Sequence, residues 1–271
     1  MAPKAGKSIP GQNPLQGFDS SSSNPIPPPH IQFHDENTRK DFLENFQKCG
    51  VHLERHVILL NFFNTPLLAV IQTRGYESLL ESPLRCPIVF IQKFYSNIHD
   101  INTSVPRFAM TFRGTRIAVT LDLISEVLHV PRVSHPHYLG CRLWTVSRNK
   151  LLSHFCETPS SWGGKQNTPC SSFANGPRFL NMVMTFTLTP LFHYNSIIEP
   201  CARFLLSFLE DLSIDFPSHF ITSIINVYQD TTTHDKLIFS SAITQILCHF
   251  SIPIPDSPYY TTMSAINADS V

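Results

Sequence analysis

The sequence has no excess of charge of either sign, because its 271 residues hold 20 Lys and Arg against 20 Asp and Glu. Proteins that coat polyanions, such as histones, depend on surplus cations, so this balance disfavours that class. Charged residues are also scarce, at 15%, whereas 42% of the chain is hydrophobic. A chain this apolar is not disordered throughout, and its length fits one large domain or two small ones.

Cysteine pairs, targeting signals and long apolar runs are missing as well. The seven cysteines are odd in number, widely spaced and never arranged as CxxC, unlike the framework of a small secreted domain. No basic-then-apolar segment opens the chain, and polar residues interrupt the longest apolar region, about residues 179–198. We therefore expect a soluble, intracellular protein with reduced thiols and no membrane contact; the sequence leaves nuclear and cytoplasmic locations open.

Motifs of the common enzyme classes are also absent. The sequence contains no GxxxxGK(S/T) or GxGxxG loop, no HExxH, no Asp-Thr-Gly, no Gly-x-Ser-x-Gly and no Cys/His knuckle. The candidates for a metal-binding carboxylate triad are Asp211, Asp215 and Asp230. They fall around predicted helices, so we expect them to lie at solvated helix ends and not to bind metal. His52 and His56 would share one helix face, yet no third ligand is signalled nearby. The sequence predicts no catalytic residue, no metal site, no cofactor and no small-molecule substrate.

Composition divides the chain into three parts. Residues 1–30 are rich in Pro, Ser and Gly and predict a disordered leader. Residues 31–252 predict one domain, mainly α-helical, and residues 253–271 predict a loosely structured tail. The stretch at 157–176 predicts a long surface loop, whereas helices that are apolar nearly all round, such as 179–188, are typical of a core.

Capping signals and apolar spacing mark where the helices begin and end. Thr65-Pro66, Pro87 and Thr120 each predict a helix start, and Pro131 predicts the end of the helix that Thr120 begins. Gly50 is predicted as the C′ residue of an earlier helix. Further helices are expected at about 204–212, 217–228 and 237–250.

One segment, residues 107–120, alternates between apolar and polar residues instead of following helical spacing. It predicts a small β-hairpin with a two-residue type II′ turn at Gly114-Thr115. That register pairs Phe112 with Ile117 and sets Arg113 directly across from Arg116. Two interpretations of this like-charge pair stay open: an anion or carboxylate relieves it, or both side chains splay into water.

Charge is unevenly distributed along the neutral chain. Residues 101–180 hold nine Lys and Arg against three Asp and Glu, a net +6, and residues 181–271 hold two against eight, a net −6. The basic segment could contact phosphate, the two segments could meet head to tail between copies of the chain, or they could neutralise each other inside one fold. The candidate nucleic-acid-binding residues are Arg107, Arg113, Arg116, Arg132 and Arg142.

Several short strings together carry a resemblance to a known family. They are residues 94–98 (FYSNI), 112–114 (FRG) leading into 124–131 (ISEVLHVP), 180–184 (LNMVM), 203–206 (RFLL), 213–217 (SIDFP) and 243–247 (ITQIL). In this order and spacing they resemble the family called putative plant transposon protein domain, over about residues 33–266. The sequence departs from the family's pattern at residues 200–202 (PCA), where a more basic stretch is expected.

The resemblance implies an origin in a plant mobile element, often a retrotransposon-like reading frame, and it carries over no catalytic residue. With the missing motifs, it leads us to expect a non-enzymatic protein that acts by gag-like assembly or by contact with RNA or DNA. Assembly would be self-association through the opposed charge surfaces. Two alternatives stay open: a divergent metal-dependent transposase or nuclease using Asp211 or Asp215, and a decayed element copy without a selected function.

Overall fold

The computed structural model describes residues 33–62, 66–85, 87–134, 146–158, 160–162, 167–190, 195–230, 236–254 and 263–267. The helices in this part of the chain are α1 (Glu36–Glu44), α2 (Pro66–Thr73), α3 (Ile88–Ser96), α4 (Leu121–Leu128), α5 (Arg148–Ser153), α6 (Asn175–Val183), α7 (Glu199–Leu209), α8 (Phe216–Gln229) and α9 (Ser240–His249). The strands are β1 (Gly50–Val51), β2 (Ile98–Asn102), β3 (Arg107–Phe112), β4 (Thr115–Val119), β5 (Asn167–Pro169), β6 (Ser196–Ile198) and β7 (Lys236–Leu237). A π-helical segment, Met184–Leu188, continues α6. The predicted leader, residues 1–30, lies outside the described residues.

Local capping signals start the helices where the sequence predicts. Pro87 directly precedes α3, and α2 begins at Pro66, whose predicted cap Thr65 lies outside the described residues. The Thr120 hydroxyl accepts a hydrogen bond from the Leu123 N–H at 3.3 Å, which satisfies one unpaired donor at the start of α4. The prediction of a substantially helical chain is confirmed at this coarse level, whereas the sheets are more extensive than predicted.

β2, β3 and β4 form a three-stranded antiparallel sheet, where the sequence predicts only the hairpin of β3 and β4. Met110 pairs with Ile117 and Phe112 pairs with Thr115, so the predicted pairing of Phe112 with Ile117 is wrong. The register differs from the predicted one by two residues. Such a shift leaves every side chain on its predicted face, because side chains alternate along a strand with a period of two.

The turn between β3 and β4 explains the shift. Arg113 and Gly114 form it, with φ angles of 50° and 81°, and a type I′ turn requires positive φ at both central residues. The predicted type II′ turn at Gly114-Thr115 is therefore wrong. Arg113 lies in the turn and Arg116 faces Thr111 across the ladder, so the predicted contact between the two arginines does not form.

The apolar face of this sheet packs against α3 through aromatic rings. The ring centroids of Phe90 and Phe112 lie 5.2 Å apart, and those of Phe94 and Phe108 lie 6.0 Å apart in an edge-to-face arrangement. Helix α8 also contacts β3, and α4 packs against both α8 and α9. One hydrophobic core thus backs the sheet and leaves its other face turned outward.

Two segments predicted as irregular carry more structure than expected, and one predicted helix end is wrong. Residues 157–176, predicted as a surface loop, contain β5, which pairs with β6. Gly50 is not a C′ residue, because α1 ends at Glu44 and Gly50 belongs to the β1–β7 ladder. In the predicted tail, Ile266 is fully buried and its N–H donates to the carbonyl of His56 at 2.8 Å. None of the helices described above has the length and apolarity that crossing a bilayer requires.

Candidate functional site

Two of the five candidate arginines lie on the outward face of the three-stranded sheet. Arg107 begins β3 and is exposed, and the Arg116 side chain in β4 is 69% exposed. Arg116 pairs with Thr111, four residues along β3 from Arg107, so the two arginines share one face about 14 Å apart. Ala109 and Ala118 pair between them and form a floor of small side chains.

The third strand adds an aromatic pair to this face. His99 in β2 pairs with Ala109, and its ring stacks on that of the exposed His34, with centroids 4.3 Å apart and an interplanar angle of 18°. The His99 ring also contacts the Thr111 hydroxyl at 3.2 Å, and the His34 backbone N–H donates to the Asn97 side chain at 2.7 Å. These contacts fix both imidazoles while His34 stays exposed. We call Arg107, Arg116, His34 and His99 the outer sheet surface.

Asp100 brings a carboxylate to the outer sheet surface. Its Oδ2 accepts a hydrogen bond from Arg116 at 2.8 Å and lies 3.1 Å from Nδ1 of His99. The hydrogen bond from His99, aided by Arg116, holds the pKa of Asp100 below its usual range. Because both side chains of the Asp100–Arg116 pair are exposed, the pair contributes little net stabilisation.

Arg113 lies at the turn, on the side of the sheet that faces α3. Its guanidinium carbon lies 4.9 Å from the Phe90 ring centroid, and Nη1 donates to the carbonyl of Pro253 at 2.8 Å. A second cation, Lys93 of α3, is close enough that burial and the Arg113 charge lower its pKa. Burial also lowers the pKa of Arg113. Lys93 has no signal in the sequence, because nothing in the local pattern of α3 links it to the hairpin.

Arg132 lies elsewhere and is already engaged by carboxylates. Its guanidinium contacts Asp122 in the first turn of α4 and, at 3.4 Å, the buried Asp215 that precedes α8. The Val133 N–H also donates to Asp215, at 3.3 Å. Arg132 therefore joins the starts of two helices. Arg142, the fifth candidate, lies outside the described residues.

The basic and acidic segments of the chain meet inside the fold. Besides Arg132 and Asp215, Arg148 of α5 donates to Glu199 of α7 at 2.6 Å. Glu199 also accepts a hydrogen bond from Arg203 of its own helix, and these two bonds hold its pKa below the usual range. The sequence left three interpretations of the charge pattern open. These contacts fit the one in which the basic and acidic segments neutralise each other inside one fold.

The three candidate metal-binding carboxylates do not meet. Asp215 precedes α8 and Asp230 follows it, so a 14-residue helix separates them by about 21 Å. The Asp211 side chain is 80% exposed and pairs with Arg74 at 3.4 Å. A two-metal centre needs its carboxylates around ions about 4 Å apart, which this arrangement does not provide. The expectation of a solvated helix end is wrong for Asp215, which is buried.

His52 and His56 do not share a helix face, because residues 52–56 are not helical. His52 is buried, and burial lowers its pKa to about 4, so the imidazole is neutral at pH 7. Across the described parts of the chain, no group of three or more His, Cys, Asp or Glu is arranged to hold a metal ion.

The described residues thus form a helical domain with a small antiparallel sheet whose outward face carries arginines and stacked histidines. A family model described as "Putative plant retrotransposon-related domain" matches residues 72–253, which include the whole sheet. The chain belongs to this family, and the resemblance found in the sequence is confirmed. Comparisons with curated proteins and with solved structures give no match.

Proposed function

We propose that this retrotransposon-related domain binds single-stranded nucleic acid through the outer sheet surface and catalyses no reaction on it. The observation that supports this best is the shared placement of Arg107, Arg116 and the stacked pair of His34 and His99. Binding of single strands combines cations that contact the phosphates with aromatic rings on which bases stack. Arg113 at the turn, with Lys93 of α3 close to it, lies on the other side of the sheet, which faces α3.

The charge contacts inside the fold favour nucleic-acid binding over gag-like assembly. Head-to-tail assembly would need the basic and acidic segments to be free for a second copy of the chain. Instead, Arg132 contacts Asp215 and Arg148 contacts Glu199 within one copy. The cations of the outer sheet surface have only the exposed Asp100 as an ion-pair partner among the described residues.

The separation of the carboxylates supports a non-catalytic role. A divergent metal-dependent nuclease would place Asp211 or Asp215 beside a second metal ligand at a solvent-accessible site. Asp215 is buried and bonded to Arg132 and to the Val133 N–H, so its carboxylate already has partners.

Fluorescence anisotropy with labelled single-stranded RNA and duplex DNA tests the proposal. Replacing Arg107 and Arg116 together by Gln should weaken binding of the single strand and flatten the slope of log affinity against log salt by about 1.4, because each lost phosphate contact removes about 0.7. His34→Ala should lower the affinity about tenfold and leave the slope unchanged, since base stacking contributes about 1–3 kcal/mol.

Arg148→Gln is the matched control for the single variant Arg116→Gln, because each removes one positive charge from an exposed arginine that is paired with a carboxylate. Its affinity and slope should equal those of the wild type. Equal weakening by Arg148→Gln would mean that only net charge matters and would contradict the outer sheet surface as the site. Magnesium-dependent cleavage of the probe, lost in Asp215→Asn, would establish the nuclease alternative instead.

A further inference from the structure

One edge of the three-stranded sheet carries backbone groups that the sheet itself does not use. β4 forms this edge, because the strand order is β2-β3-β4. Phe112 and Thr115 flank the two-residue turn and exchange hydrogen bonds, and bonded pairs alternate with non-bonded pairs along an antiparallel ladder. Arg116 and Ala118 therefore direct their N–H and C=O groups away from β3. Among the described residues, these groups have no backbone hydrogen-bond partner.

The residues that carry these groups lie at the surface. Arg116 and Ala118 are both exposed, whereas Ala109, which pairs with Ala118 in the central strand, is only 6% exposed. The difference follows from position, because β3 has a strand on each side and β4 has one on a single side. A row of unpaired N–H and C=O groups at an exposed edge is a template for the addition of another strand.

The opposite edge of the sheet is interrupted, whereas the β4 edge is regular. In β2 the register shifts between His99 and Asn102, and Asp100 within this interval has a φ of 52°. Bulges and charged residues at an edge hinder the pairing of a further strand. The pairs of β4 run without a shift from Thr115 to Val119, and the strand contains no proline. The sheet thus offers β4 and not β2 for strand addition.

The charged side chain of β4 does not block its edge. Arg116 donates to Asp100 of β2 at 2.8 Å, so its side chain crosses the outward face of β3 and points away from the open edge. Ala118, the next residue of β4 on this face, has only a methyl group. A strand that approaches this edge therefore meets unpaired backbone groups and a small side chain.

These groups are complementary to a second copy of themselves. Two antiparallel β4 strands with a two-fold axis between their Ile117 residues place Arg116 of each copy opposite Ala118 of the other, and the two equivalent pairs can form four hydrogen bonds. An axis at Arg116 would set two arginines opposite each other, which is unfavourable. An axis at Ala118 would pair Arg116 with Thr120, whose carbonyl already accepts from the Ile124 N–H in the first turn of α4.

We propose that the β4 edge pairs with the β4 edge of a second copy of this chain, so that two three-stranded sheets become one six-stranded sheet. This two-fold association differs from head-to-tail assembly through opposed charges, because backbone groups form it. It places the outer sheet surfaces of both copies on the same face of the joined sheet. Nucleic-acid binding does not depend on it, since each copy carries its own outer sheet surface.

Sedimentation velocity of the full chain without nucleic acid, from about 1 µM to about 200 µM, tests the proposal. The sedimenting mass should rise from 30.7 kDa towards twice that value. Hydrogen exchange at the two extremes locates the contact: the Arg116 and Ala118 amides should exchange more slowly at the higher concentration, whereas those of Ile117 and Val119, which are bonded within the hairpin, should not change.

Two results would overturn the two-fold pairing. One is a chain that remains monomeric at the highest concentration; if its Arg116 and Ala118 amides also exchange slowly at every concentration, another segment of the same chain covers the edge. The other is a dimer in which the exchange of these two amides is the same as in the dilute protein, because its interface then lies elsewhere.

Ala118→Pro removes an N–H that the hairpin does not use. Proline is tolerated on edge strands, so the variant should keep the circular dichroism spectrum of the wild type and remain monomeric at every concentration. Ala118→Ser is the matched control, because it keeps the N–H and a small side chain, and it should dimerise like the wild type. A folded proline variant that still dimerises would refute the β4 edge as the interface.

Charged substitutions at Ala118 test the register and keep the N–H, so they do not depend on whether the proline variant folds. Ala118→Lys sets a cation opposite Arg116 of the second copy and should weaken association about tenfold, because each dimer holds two such pairs. Ala118→Glu should strengthen it by a similar factor. The same two substitutions at Ser104, which is exposed in the turn between β2 and β3, should change nothing. Equal effects of Lys and Glu at position 118 would contradict the register.

Discussion

Replacing Arg132 by Met tests whether the opposed charges of this chain are used inside the fold. The Asp215 side chain is 6% exposed and that of Arg132 is 34% exposed, so the change leaves a buried carboxylate without its cation. Removing one partner of a fully buried pair costs about 3–5 kcal/mol. Because water reaches part of Arg132, we expect the free energy of unfolding to fall by about 2 kcal/mol.

Urea unfolding at pH 7, followed by far-ultraviolet circular dichroism, measures this loss. Arg148→Met is the matched control, because its partner Glu199 is more exposed, at 23%, and the Arg148 side chain is 56% exposed. This control should lose less than about 1 kcal/mol.

A second substitution at Asp215 makes the test specific. Asp215→Asn should restore part of the stability in the Arg132→Met background, because no charged carboxylate then stays buried, and it should lower stability when Arg132 is present. Equal losses in the Arg132 and Arg148 variants, or no recovery with Asp215→Asn, would show that the buried Asp215 carboxylate does not depend on Arg132.

Three further predictions concern single residues. Burial lowers the pKa of His52 from 6.5 to about 4. Between these pH values the unfolded chain binds a proton at His52 and the folded chain does not, so the stability of the wild type should fall as the pH drops from 6.5 towards 4. His52→Gln should remove up to about 3 kcal/mol of that fall, measured by urea unfolding at several pH values; an unchanged fall would contradict a buried neutral imidazole. Gly114→Ala should cost about 1–2 kcal/mol, because Gly114 has a φ of 81° in the turn, and an unchanged melting temperature would argue against the type I′ turn. Iodoacetamide should label the exposed Cys248 before Cys170, whose pKa burial raises to about 12, and peptide mass spectrometry that finds the reverse order would contradict this burial.

The sequence predicts helix starts well because their signals are local. Pro87 and Thr120 act on the first turn of the helix that follows them, and the structure uses both as predicted. The apolar face of the hairpin is local in the same way, since alternation alone assigns Phe108 and Phe112 to the core.

The turn of the hairpin could not be predicted from its own residues. Gly114 fits the first position of a type II′ turn or the second position of a type I′ turn, and the choice depends on whether Arg113 accepts a positive φ. The contacts of Arg113 with Phe90 and with the carbonyl of Pro253, which is 140 residues away, come from the tertiary fold.

The candidate site shows the same limit. The sequence identifies Arg107 and Arg116, but the stacking of His34 on His99 joins residues 65 positions apart and has no local signal. The contact of Arg132 with Asp215 likewise joins residues 83 positions apart. Composition therefore identifies a basic and an acidic segment but does not predict which of their residues form ion pairs.

The slope of log affinity against log salt for the wild-type chain and single-stranded RNA measures how many cations of this domain contact phosphate. Arg107 and Arg116 are the cations of the outer sheet surface, and at about 0.7 per phosphate contact they predict a slope of about −1.4. A slope near −6 would mean that the whole basic segment contacts phosphate, including the arginines that pair inside the fold. No binding at low salt, or binding without salt dependence, would contradict nucleic-acid contact by this domain.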